Sequence, residues 1–294
     1  MTLRWCCKVG EYYSHEGRVR SSIPILNKLC TRPEGSSNHQ FRKKRLIDST
    51  SYADRPLSIF QASYIVNILR SGVSYCSGTI LSNSIVITAA NCVNERNVNY
   101  IILSGSLSRH QGKIHIIKRI LKHPRFNPRT LTYNLALIRV FPYFQFGLGK
   151  LNQPIPLHSP VYIRPGTPLS FGGWGCVRTI PKILFPDELK MSRIPLMSRQ
   201  LCQQYYREAV QIGEETICAL DKNSKVGSCL GDEGGPLVRN YELVGVFSFR
   251  KGILNGRNPE IFTDVRNPGI RQWITSTMQN ITMWVSYPRP HRKN

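Results

Sequence analysis

The 294-residue sequence has no apolar run close to the ~20 residues that a membrane-crossing helix needs, which argues against a helical membrane anchor. Its opening, MTLRWCCKVGEYYSHEGRVR, lacks the apolar centre of a secretory leader. Either that start is alternative or incomplete, or the chain leaves the usual secretory route. It has no C-x-x-C pair and no Cys/His cluster at zinc spacing, so no metal site and no small-molecule cofactor is expected. Acids are scarce: 17 Asp and Glu stand against 40 Lys and Arg, a net charge of +23. Residues 1–45 hold ten of the bases and three of the acids, which leaves +16 for the remainder. A field of that size favours polyanions such as glycosaminoglycan, nucleic acid or anionic membrane, although a merely solvated basic surface carries the same charge.

What is present is a globular composition, 41% hydrophobic, long enough for one large domain or two small ones. Nine cysteines, at 6, 7, 30, 76, 92, 176, 202, 218 and 229, suit disulfides made in an oxidising compartment. The odd count leaves a free thiol or a link to another chain. Residues 1–45 read as a basic extension ending in RKKR (42–45). That run serves equally as a convertase site in a propeptide, a polyanion or nuclear-import patch, or a solvated linker. From about residue 57 the pattern is all-β: short β-branched and aromatic runs such as GTILSNSIVITAA (78–90), LALIRV (135–140) and ELVGVFSF (242–249) lie between turn residues. One helix is expected, over about 267–280, opened by Asn267-Pro268 and carrying Ile270, Trp273, Ile274 and Met278 at helical spacing. Asn280-Ile281-Thr282 just after it is a glycosylation sequon, and the basic tail 282–294 is expected to be disordered at its end.

Three stretches in order resemble the chymotrypsin/trypsin-like serine proteases. ITAANCV (87–93) is similar to that family's histidine motif, NLALIRV (134–140) to its aspartate motif, and GDEGGPLV (231–238) to its serine motif. HPRF (123–126), GGWG (172–175), MSRQLCQQYY (197–206), ICAL (217–220) and QWI (272–274) follow the family order. The resemblance covers roughly 46–281. It implies an all-β fold of two packed six-stranded antiparallel barrels, about 46–155 and 156–266, with a C-terminal α-helix.

The departures bear on function. Acyl transfer in this family needs a hydroxyl nucleophile, an imidazole base and a carboxylate that orients it. The matching positions hold Glu233, Asn91 and Asn134. An amide does not exchange a proton near neutral pH, and a carboxylate is a poor nucleophile. Loss of the serine or histidine of such a triad costs on the order of 10⁶ in turnover. The triad is therefore degenerate, and the chain is expected to be catalytically dead. Glu233 is expected to turn its carboxylate onto the backbone N–H groups of the former oxyanion hole, near Gly231. Hydrolysis through Glu233 itself is the rival reading; it would need a partner acid or base.

The specificity pocket departs as well. Where trypsin-like members carry an acid at its base, the resemblance puts Gly227. Where they keep two wall glycines, it puts Arg250 and Glu260, either bridged across the slot or turned to solvent. It implies bridges Cys76–Cys92 and Cys202–Cys218, and leaves Cys229 facing Ile253 rather than cysteine. Cys176 is then a candidate partner for Cys229. Another family bridge is absent at both ends, at Leu169 and Arg239. RLIDS (45–49) lacks the glycines of an activated start, so Asp232, whose family counterpart pairs with the new N-terminus, is left without an assured partner. A secreted binding protein is the expectation. Its ligand is a heparin-like polyanion on KIHIIKRILKHPRF (113–126), through Lys113, Lys118, Arg119, Lys122 and Arg125, or a protein held in the old cleft. The same segment also reads as a plain strand with its bases in solvent.

Overall fold

A computed structural model describes residues 58–179, 182–207, 210–221, 228–250 and 258–283, and the backbone of three short strands near the start. Several sequence readings lie outside the described residues: RKKR (42–45), RLIDS (45–49), the tail from 284, Gly227 and Ile253, and the side chains of Cys6, Cys7 and Cys30. The chain divides into two units, Met1–Phe41 and Arg42–Asn294. In the first, β1 (Cys6–Lys8), β2 (Glu11–Ser14) and β3 (Gly17–Val19) make an antiparallel sheet that the sequence reading did not anticipate.

The second unit holds two closed six-stranded barrels and a C-terminal helix. The first barrel comprises β4 (Ile65–Arg70), β5 (Val73–Ile80), β6 (Ile85–Thr88), β7 (Tyr100–Ser104), β8 (Lys113–Lys122) and β9 (Ala136–Phe141), closing in the order β4-β5-β6-β9-β8-β7. The second barrel repeats that order, with the short hairpin β11 (Val177–Thr179) and β12 (Lys182–Leu184) inserted between its first and second strands. It is formed by β10 (Pro168–Gly173), β13 (Lys190–Met197), β14 (Thr216–Ala219), β15 (Pro236–Arg239), β16 (Glu242–Phe249) and β17 (Glu260–Asp264).

Strands such as β6 are buried at every residue because both faces are covered. Val86 points into the first barrel with Val66, Ile68, Ile102 and Ile138. Ile85 and Ile87 point the other way, into a shared core with Val246, Val265, Ile270 and Ile274. Each such burial contributes about 1.5–3 kcal/mol, so the shared core holds the barrels together. The second barrel is filled by Phe171, Phe247 and Phe262, whose ring centroids lie 5.4–5.5 Å apart. Leu169 packs in that same core.

Two helices differ from expectation. The short α1 (Arg199–Tyr206) was not read from the sequence; Ser198 caps it by accepting from the Leu201 N–H, and Cys202 and Tyr206 are buried one turn apart. Its single buried edge is too brief to stand out as a period. The late helix, α2 (Pro268–Met283), opens as expected, with the Asn267 side chain accepting from the Gly269 and Ile270 N–H groups. It runs beyond residue 280 because Ile281 is fully buried in the shared core. The exposed Asn280 therefore sits within the helix and not after it.

Candidate functional site

The three positions read as a degenerate triad converge where the barrels meet. Asn91 lies on a 3₁₀ turn, Ala90–Val93, that follows β6 and is pinned by the Cys76–Cys92 disulfide to β5. Asn134 precedes β9 and is fully buried. Its Nδ2 donates to Asn91 Oδ1 and to Ser248 Oγ on β16, both at 2.9 Å, and its Oδ1 accepts from the Asn91 backbone N–H at 3.0 Å. The amide is thus fully satisfied across the barrel boundary. It holds the Asn91 turn in place with no charge and no titratable proton.

Glu233 stands on the turn before β15. Gly231 and Gly234, on either side of it, have φ of +101° and +80°, a region that only glycine enters freely. A Cβ on Gly234 would lie 2.1 Å from Thr88 Oγ1, so the turn is packed against the first barrel. Half-buried Glu233 folds back, and its carboxylate accepts the Gly231 N–H at 2.8 Å. Burial raises its pKa, while the N–H groups of Glu233 and Gly231 favour the charged form. Ser77 supports the turn from β5: its N–H donates to the Glu233 carbonyl at 2.7 Å and its hydroxyl to the Gly231 carbonyl at 3.3 Å.

Asp232 points the opposite way, is wholly buried, and accepts the Gly175 and Cys229 N–H groups at 2.8 and 2.9 Å. Backbone donors therefore partner the carboxyl that sequence reading left unassigned. Burial pushes it up to about 7, against those two donors, with the nearby Glu233 and Glu260 carboxylates adding to the rise. Cys176 and Cys229 are bonded beside it, and Cys202–Cys218 ties α1 to β14.

At the positions read as the wall of a specificity pocket, Arg250 and Glu260 are turned inward, their side chains 3% and 1% exposed. Arg250 Nη1 lies 3.7 Å from Glu260 Oε1, an ion pair rather than a hydrogen bond. The Ser228 N–H donates to the same oxygen at 2.9 Å. Burial pushes Glu260 up to about 7 although Arg250 pulls it down. Ser77, Ser228 and Ser248 were missed by sequence reading. A serine in a strand or loop carries no period, and only its partner across the fold marks it.

The basic segment is β8 and the turn that follows. Lys113, Lys118, Arg119, Lys122 and Arg125 are all exposed. A bulge between Ile117 and Arg119 resets the alternation, so Lys118 and Arg119 both face solvent. Lys118 lies over the Phe141 ring, Arg125 over Tyr133, and Lys122 Nζ donates to Asn94 Oδ1 at 2.7 Å. Ile114 and Ile116 are exposed on the same strand, while His115 turns into the barrel; the polar-out pattern is inverted there. Among the described residues no group of His, Cys, Asp or Glu is placed to hold a metal, and no helix is long and apolar enough to cross a membrane.

Comparison with known proteins accords with this geometry. A sequence model of the Trypsin family matches residues 55–274. Trypsin of Sarcophaga bullata is 29% identical over 218 residues, 70% of this chain and 80% of that protein. Trypsin iota of Drosophila melanogaster is 30% identical over 227 residues, 76% and 86% of the two chains. Among solved structures, mouse brain neuropsin, a serine protease, superposes with a TM-score of 0.66 at 25% identity, over 76% of this chain and 98% of its own. A scabies mite inactivated protease paralogue gives 0.69 at 24% identity, over 79% and 98%, a likeness of fold alone. The family match spans most of the sequence and the barrels close in the order its motifs imply: the chain belongs to the trypsin family of serine proteases and their homologues.

Proposed function

We propose that this chain is a catalytically inactive serine protease homologue that acts by binding, in an oxidising, extracellular setting. The observation that carries this reading is the 2.8 Å hydrogen bond from the Gly231 N–H to the Glu233 carboxylate. The side chain in the nucleophile's place consumes a donor that an acyl-transfer site reserves for the developing oxyanion. Asn91 supplies no base, and the buried Arg250–Glu260 pair fills the slot where a substrate side chain would enter. Disulfides at three points accord with an oxidising compartment.

Peptide amides and a fluorophosphonate probe should give neither turnover nor labelling with the intact chain, and Glu233→Ser alone should remain inactive for want of a base. The rival hydrolase reading has little to stand on, because Asp232 directs its carboxylate to Gly175 and Cys229. Turnover of a peptide or glycoside that vanishes in Glu233→Gln would establish that rival instead.

The ligand surface is the basic exposed side of β8. Retention of the full chain on immobilised heparin should fall steeply with salt, and Lys118→Ala/Arg119→Ala/Lys122→Ala should elute earlier with a shallower slope. Elution of the parent at low salt would remove the polyanion reading. A protein in the old cleft would then be the ligand to seek, recognised by competition from peptides.

A further inference from the structure

We infer that the concavity between residues 104–113 and 145–152 binds a single acidic sugar unit of an anionic glycan, an inference that rests on the polyanion reading and gives it a site. The concavity measures about 460 Å³, inside the roughly 300–1,000 Å³ of small-molecule sites. One wall is the loop from β7 to β8, drawn tight at Gly112, whose φ is +139° and whose Cβ would lie 2.7 Å from the Ser104 carbonyl oxygen. The other wall is the segment after β9, distant in sequence.

The floor presents acceptors. Asn152 is 7% exposed and lines the concavity, and its Oδ1 has no hydrogen-bond partner. A buried acceptor left without a donor is costly, and a small shift of the side chain toward the concavity would let a ligand hydroxyl satisfy it. Ser104, beside it, is settled by its neighbour. His115 Nδ1 lies 2.5 Å from the Pro142 carbonyl oxygen, which can only accept, so Nδ1 carries the proton. Nε2 is then the acceptor, and the Ser104 hydroxyl, 2.8 Å away, donates to it. The Ser104 oxygen keeps its lone pairs for a donor from the cavity.

The rim has the opposite character. Lys113 and Lys150 are exposed there and no acid is among the lining residues, while Gln111 and Gln145 add amides that donate and accept. A fitting ligand donates hydroxyls at its inner end and carries negative charge at its outer end. A sulfated or carboxylated sugar does both. Inorganic sulfate would satisfy only the rim.

The test is titration of the full chain with a sulfated tetrasaccharide derived from heparin, read by calorimetry. Lys113→Ala/Lys150→Ala, both exposed and safe for folding, should weaken binding about tenfold and flatten its salt dependence. Asn152→Leu should weaken binding about fivefold with the salt slope unchanged, because it removes an acceptor and no charge. Gln145→Ala, also exposed, should weaken it in the same salt-independent manner if Asn152→Leu fails to fold. Full competition by equimolar inorganic sulfate, or by an oligonucleotide of equal charge, would overturn the sugar assignment. If Lys118→Ala/Arg119→Ala/Lys122→Ala abolishes binding while the cavity variants bind as the parent does, the polyanion reading survives and this site falls. If the parent binds no anionic glycan, the polyanion reading itself falls.

Discussion

Arg250→Met should destabilise the fold by about 3–5 kcal/mol at pH 8, the loss typical of removing one partner from a buried ion pair. Glu260 would be left wholly buried, with neutral donors such as the Ser228 N–H but no cation beside it. Because burial already holds the Glu260 carboxyl up to about 7, the loss should shrink at pH 5, where that group is neutral and needs no countercharge. The double variant Arg250→Met/Glu260→Leu should regain most of the stability, since apolar side chains of similar volume replace buried ion pairs at little cost. Urea midpoints at the two pH values decide the matter. A single variant as stable as the parent at pH 8 would mean that the pair contributes nothing and that the filled slot is incidental.

The second large effect is on stability as a function of pH. Asp232 is held up to about 7 by burial, whereas an unfolded carboxyl titrates near 4. Between these values the folded state binds more protons than the unfolded one. Its stabilising contribution is complete below about 4 and is lost as pH rises through about 7. The slope is about 1.4 kcal/mol per pH unit for one such group. Glu260 is shifted in the same direction, so the parent should lose stability more steeply than one group allows. Asp232→Asn removes one titrating proton while keeping a carbonyl oxygen to accept from Gly175 or Cys229, and should reduce the slope by about half. Urea midpoints that stay level from pH 5 to 8 in the parent would show that Asp232 is charged throughout, with the two backbone donors outweighing burial.

These expectations separate two kinds of information in the chain. The ordered motifs around Asn91, Asn134 and Glu233, the β-branched runs and the Asn267-Pro268 helix start are local. They rest on residue identity and short-range periodicity, which the primary structure carries whole. The family and the barrel architecture were therefore legible in the sequence.

What closure of the barrels decided was direction. The Glu233 carboxylate turns to Gly231 while Asp232, one residue earlier, turns away, because the glycine turn between Cys229 and β15 alternates its side chains between cleft and interior. Whether Arg250 and Glu260 meet or face water depends on β16 and β17 pairing beside them. The bulge at Lys118 broke a period-2 pattern that read as regular, and α1 hid behind a polar sequence with one buried edge. Asn152 and Lys113 line one concavity although nearly forty residues separate them, through the β7–β8 loop and the segment after β9. Sequence alone determined which groups this molecule possesses and where they stand along the chain. Only the tertiary structure decided which of them face one another, because burial, pairing and approach across a closed barrel are set by neighbours that the local pattern does not contain.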